Sequence, residues 1–189
     1  MNTVAHLIIA SAALSQPASA KRNWAIAAGA LVPDASMFVF FGWSRIQGWT
    51  SHETWNVQYW AEPWQTLGAL SNSFVLFGLL LGIALWRKWP LLIAASAAAL
   101  VHIALDFPLH AEDAHRHFWP LTDWRFQSPI SYWDPDYLGW LGGLIEGCFV
   151  LGALALLWRR FGNSRWRAVY LGLAGMQVFF MIILVGWMR

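Results

Sequence analysis

Five stretches of this chain, 24–43, 66–86, 91–109, 138–158 and 168–188, approach the roughly 20 apolar residues that a helix needs to cross a bilayer. A shorter one, 4–18, precedes them. Hydrocarbon offers the backbone no hydrogen-bond partner, so runs of this length dictate helices. Charged residues are 12% of the 189, about half the roughly 25% usual in a soluble domain. The expectation is an all-α, polytopic membrane protein: one domain, residues 1–189, with about six helices in a single bundle. No repeat or low-complexity linker divides it.

The basic residues give the bundle an orientation. Eight of the 12 Lys and Arg residues fall in three short connections, at Lys21 and Arg22, at Arg87 and Lys88, and at Arg159, Arg160, Arg165 and Arg167. These alternate with two longer segments, roughly 44–65 and 110–137, which hold most of the acids. The positive-inside rule puts the basic connections in the cytoplasm and the long loops outside a bacterial inner membrane. Tryptophans in those loops (Trp49, Trp55, Trp60 and Trp64; Trp119, Trp124 and Trp133) fit an aromatic belt at headgroup level. The net charge of +2 is a matter of topology, so no nucleic-acid partner is expected. Residues 1–20 end on Ala18-Ser19-Ala20, as a secretory signal does, but lack its basic start, and a retained first helix is expected.

An ionisable side chain inside a spanning helix costs at least about 2.5–3.5 kcal/mol, so it needs a partner and usually marks function. Here they are His6, Asp34, His102, Asp106 and Glu146. Counting 1.5 Å per residue from the basic connections places all five about 17–27 Å up, in one outer slab. His102 and Asp106 are spaced i, i+4 and share a helix face. Two ligands on one helix, completed from its neighbours, is how bundles hold metals. The expected ligands are therefore His6, Asp34, His102 and Asp106, with His110 one further step along that face beyond Pro108. An all N/O set suits one divalent ion, Zn²⁺ first, with Mn²⁺ or Fe²⁺ as alternatives. Pro33 and Pro108 are expected to open their helices locally.

A bound ion would make hydroxide available near neutral pH. On that reading Glu146 or Asp113 is the general base and Arg125 binds an anionic substrate group. Glu146 also reads as a ligand or a protonated packing residue. His115, Arg116 and His117 read as solvated loop residues, and His52 and Glu53 as surface. Gly78-x-x-x-Gly82 and Gly143-x-x-x-Gly147 read as close packing faces, and the single cysteine, Cys148, as a small buried packing residue. There is no P-loop, dinucleotide fingerprint or G-x-S-x-G. The readings left open are a metal-dependent hydrolase whose substrate is lipid-like or a phosphate or acyl ester, a non-enzymatic metal- or haem-binding or transport protein, and a structural protein with polar helix packing. Membrane lipid is the expected surrounding partner, with homo-oligomerisation open.

Several of these pieces occur together in a known group. His6, the Gly29-Ala30-Leu31-Val32-Pro33-Asp34 turn, the His102-x-x-x-Asp106 pair and Trp119-Pro120-Leu121-x-x-Trp124-Arg125-Phe126 resemble, in order and spacing, the YdjM-like inner-membrane, metal-dependent hydrolases. The resemblance covers the chain to about residue 126 and implies a membrane-embedded hydrolase. Two positions depart from the pattern. Ser36 stands where the group has a second Asp after the P-D turn, and Asn72 where it has a His opening the third helix.

Overall fold

Asn2 opens the first helix by capping it: its Oδ1 accepts from the backbone N–H groups of Val4 and Ala5, each at 3.0 Å. The structure is a computed structural model that describes residues 1–162 and 164–187. Its regular elements are helices throughout: α1 Thr3–Leu14, α2 Ala20–Gln47, α3 Glu62–Ser71, α4 Phe74–Trp86, α5 Pro90–Asp106, α6 Gly139–Arg160 and α7 Ser164–Trp187. Short helical turns at Glu53–Val57, Gln58–Trp60 and Pro135–Tyr137 lie in the two long connections.

Four helical stretches are long and apolar enough to cross a membrane: Ala20–Gln47, Glu62–Trp86, Gly139–Arg160 and Arg165–Ile183. α1 and α5 are shorter, at 12 and 17 residues. The stretch expected as one helix over 66–86 is two, α3 and α4. Ser73 breaks it, because its hydroxyl accepts from the Leu76 N–H at 3.1 Å and starts a new helix. α2 runs unbroken through Pro33. Pro108 lies beyond the end of α5, so it follows a stop instead of opening a helix.

α1 is the hub, with α2, α5, α6 and α7 packed around it. Val4, Ala5, Ile8 and Ala12 pack into one apolar cluster with Val150, Ala153 and Leu157 of α6. Its C-terminal carbonyls are met by Arg160, which donates to Ala12 O at 2.7 Å and Ser15 O at 3.0 Å. The most extensive helix pairing is α2 with α5, and its closest approach is at Gly29. A Cβ there would lie 2.0 Å from Ala95 O, so only glycine allows this distance. The expected close packing at Gly78, Gly82 and Gly147 is not found; each faces open space. Spacing alone could not say which glycines a neighbour covers. Cys148 is likewise exposed, not buried, on the outer side of α6.

The segment after α5 folds back over that end of the bundle. Leu109 N–H donates to Asp106 O at 2.9 Å, Ser128 N–H to His110 O at 2.9 Å, and Tyr132 N–H to Leu109 O at 3.0 Å. Phe74 N–H donates to His117 O at 2.8 Å, stitching the segment to α4. Three of the tryptophans expected in a belt, Trp49, Trp55 and Trp64, pack around buried Phe40 with ring centroids 6.4, 5.6 and 5.1 Å away. Apolar side chains cover much of the outside of α2, α6 and α7, among them Val39, Ile46, Leu151, Leu171 and Ile182.

Candidate metal centre

Asp106 is the point on which the expected ligands converge. His102, one turn before it on α5, places Nε2 3.0 Å from Asp106 Oδ2. His6 on α1 places Nε2 2.9 Å from Asp106 Oδ1, and its ring stacks on His102 with centroids 3.5 Å apart and planes 8° from parallel. Asp34 on α2 brings Oδ1 to 3.6 Å from His102 Nε2. His110, beyond the end of α5, brings Nε2 to 3.5 Å from Asp106 Oδ1. All five expected ligands are thus gathered, from α1, α2, α5 and the segment after it. His6, His102 and Asp106 are buried, and their ligand atoms lie within 4.8 Å of one another.

The backbone prepares this arrangement. Because Gly29 lets α2 close onto α5, the Ala30 carbonyl reaches His102 Nδ1 at 2.7 Å. A carbonyl only accepts, so Nδ1 carries the proton and Nε2 is left facing Asp106 and Asp34. Nε2 then meets these oxygens in one of two ways, as a second N–H donor of an imidazolium or as a lone pair turned to a cation held between them. Donation of the second ring N–H to a backbone carbonyl is the usual backing of a metal-bound histidine. The donor separations of 2.9–3.6 Å bracket the ~3.3 Å expected between ligands held at 2.0–2.1 Å in tetrahedral geometry. The residues present fit a divalent ion.

Neighbouring polar groups complete the shell. The α-amine of Met1 lies 2.5 Å from Asp106 Oδ1, and Thr3 Oγ1 donates to Asp34 Oδ2 at 2.6 Å. His6 Nδ1 is buried and has no hydrogen-bond partner among the described residues. Asp113 Oδ2 accepts from His110 Nδ1 at 2.9 Å and from Trp133 Nε1 at 3.0 Å. Burial opposes a charged His110, but the Asp113 and Asp106 carboxylates outweigh it and hold its pKa at about 9. Burial, with His110 and His117 beside it, pushes His115 down to about 3.

Other expectations change. Arg116 and His117 are buried, not solvated, and His115 is half-buried. Arg116 donates to Glu62 and Asp123, each at 3.0 Å, and His117 Nδ1 donates to Asn72 O at 2.9 Å. Arg125 donates to Ala114 O at 3.2 Å and Gln65 Oε1 at 2.9 Å, bracing the outer segment. Glu146 is not brought into the cluster. It accepts from Asn2 N–H at 3.0 Å, from Asn2 Nδ2, and from Gln177 Nε2 at 2.6 Å, tying α1, α6 and α7 together.

The two departures from the hydrolase pattern, Ser36 and Asn72, belong to one polar knot beside Asp34. Ser71 Oγ donates to Ser36 Oγ at 2.7 Å, and Asn72 Nδ2 contacts Ser71 Oγ at 3.2 Å and Pro33 O at 3.1 Å. Asn2 and Thr3 were not anticipated, although an Asn before an apolar run is a helix-start signal. No family model, curated protein or solved structure matches the chain.

Proposed function

We propose that the chain is a membrane-embedded, metal-dependent hydrolase with its centre in the outer half of the bilayer. His6, Asp34, His102 and Asp106 hold one divalent ion, zinc first among the candidates, and His110 completes the set. The observation that carries this reading is His102, whose Nδ1 is committed to Ala30 O while Nε2 faces two carboxylates. A bound ion of this kind supplies Lewis-acid activation of water near neutral pH. Asp113 orients His110 and is partly exposed, so of the two expected bases it is the one in reach of both the cluster and the surface. Glu146, held by three donors, serves the helices instead. Arg125 remains the candidate for an anionic substrate group only if substrate displaces Gln65 from it.

The membrane reading rests on the four spanning-length helices and the apolar exterior. The three basic connections lie on the cytoplasmic side, and the long segments with the site face the exterior or periplasm of a bacterial inner membrane. Substrate reaches the site from the lipid phase, as an acyl or phosphate ester. One observation favours a second reading. His6, His102, His110 and the Met1 amine all lie within 2.5–3.5 Å of Asp106, so protons alone can satisfy the cluster as polar glue between helices.

Elemental analysis of detergent-purified protein separates the two. The hydrolase reading expects about one equivalent of Zn, Mn or Fe, lost in folded His102→Ala and Asp106→Asn. No stoichiometric metal in the parent, even after incubation with each ion, leaves helix packing as the role of the cluster.

A further inference from the structure

A groove of about 680 Å³ runs between α6 and α7, separate from the metal centre. Its walls include Gly147, Val150 and Leu154 on α6 and Ala174, Val178 and Met181 on α7. One polar side chain lines it, Gln177, which is 5% exposed. The Gln177 amide donates through Nε2 to Glu146, so its oxygen is turned away from that carboxylate. Oε1 is buried and has no hydrogen-bond partner among the described residues. A buried acceptor without a donor is costly, and the side chain that carries it lines an apolar trough of the size that holds small molecules, roughly 300–1,000 Å³.

We propose that this groove binds a membrane lipid bearing an alcohol group, with its chain along the apolar walls and its O–H donating to Gln177 Oε1. The walls select hydrocarbon, and the lone acceptor selects a donor. A phosphate or carboxylate headgroup is disfavoured, because it brings only acceptors to Oε1, with Glu146 close behind. The outer surfaces on either side are apolar, with Leu151 69% and Ile182 67% exposed, so the groove opens onto the same face as the surrounding lipid. The proposal rests on the membrane reading above and is independent of the metal.

The test uses the full chain in lipid nanodiscs and a long-chain alcohol carrying a diazirine, with its methyl ether as the control that lacks the donor. After illumination, mass spectrometry locates the label. The alcohol is expected on peptides containing Val150, Leu154 and Met181, and the ether roughly five- to tenfold less, as one hydrogen bond dictates. Gly147→Leu grows a side chain into open space and should abolish labelling there by both probes. Gln177→Leu should make alcohol and ether equivalent; if it does not fold, the ether control and Gly147→Leu still decide. Equal labelling of the parent by both probes, or labelling unchanged in Gly147→Leu, overturns the proposal. So does a cross-link between two copies through these faces in place of lipid. Failure to enter nanodiscs overturns the membrane reading as well, whereas incorporation without labelling overturns the groove alone.

Discussion

At the scale of residues, one carboxylate organises the candidate centre and another organises the helices, and mutation should separate them. Asp113 touches His110 and Trp133 but none of the other four expected ligands, so it acts by holding a ring. Asp113→Asn is expected to weaken Zn²⁺ binding about 10- to 100-fold with little loss of stability, the usual effect of removing a partner behind a ligand. Competition with a chromophoric chelator reads this out. Glu146→Gln should do the reverse. It presents an amide to donors from Asn2 and Gln177, which should lower thermal stability by about 1–3 kcal/mol while metal content stays at the parental level. Equal metal loss in both variants would put Glu146 in the centre after all. His102 and Asp106 could be read from their spacing because i, i+4 places two side chains on one face whatever surrounds the helix. Glu146 could not, since depth along a helix says nothing about the direction around it.

At the scale of elements, the α2–α5 contact is what lets a backbone carbonyl back His102. Gly29→Ala would put a Cβ 2.0 Å from Ala95 O, forcing the helices apart and lengthening the Ala30–His102 hydrogen bond. The variant is expected to lose bound metal and several degrees of melting temperature together, in a thermal-shift assay with and without chelator. Gly78→Ala on α4 meets open space and should be neutral or stabilising by about 0.5–1 kcal/mol. Element type and approximate extent were legible in hydrophobicity alone. The division of 66–86 was not, because apolar residues continue on both sides of Asn72 and Ser73, and only the cap at Ser73 ends the run. The importance of Gly29 was also hidden, since a glycine's neighbours are set by how helices pair.

At the scale of the whole molecule, the proposed orientation makes opposite ends differently accessible. In a Cys148→Ser background, Asp123→Cys in the outer segment should react with a membrane-impermeant maleimide on intact cells, and Lys88→Cys only after permeabilisation. The opposite pattern would invert the topology and place the centre near the cytoplasm. The bundle's outline was readable because charge and apolarity are summed properties of a segment. The burial of Arg116 and His117 was not, because it depends on how residues 107–138 fold back over the helix ends.

The central place of α1 has a consequence for how such a chain is made. At 12 residues it spans only about 18 Å, too short to cross hydrocarbon alone. α2 covers part of its buried face early, but α5 and α6 supply much of the rest, and their residues come roughly 75 to 155 positions later. His6 therefore has no Asp106 to meet until five helices have been synthesised, and α6 and α7 close around the hub only after that. A nascent chain halted after α4 would present a histidine without its carboxylate partner and a half-length apolar helix. Closure of the centre is then a late step that joins residues 100 positions apart, and no chain shorter than α1 to α5 can make it.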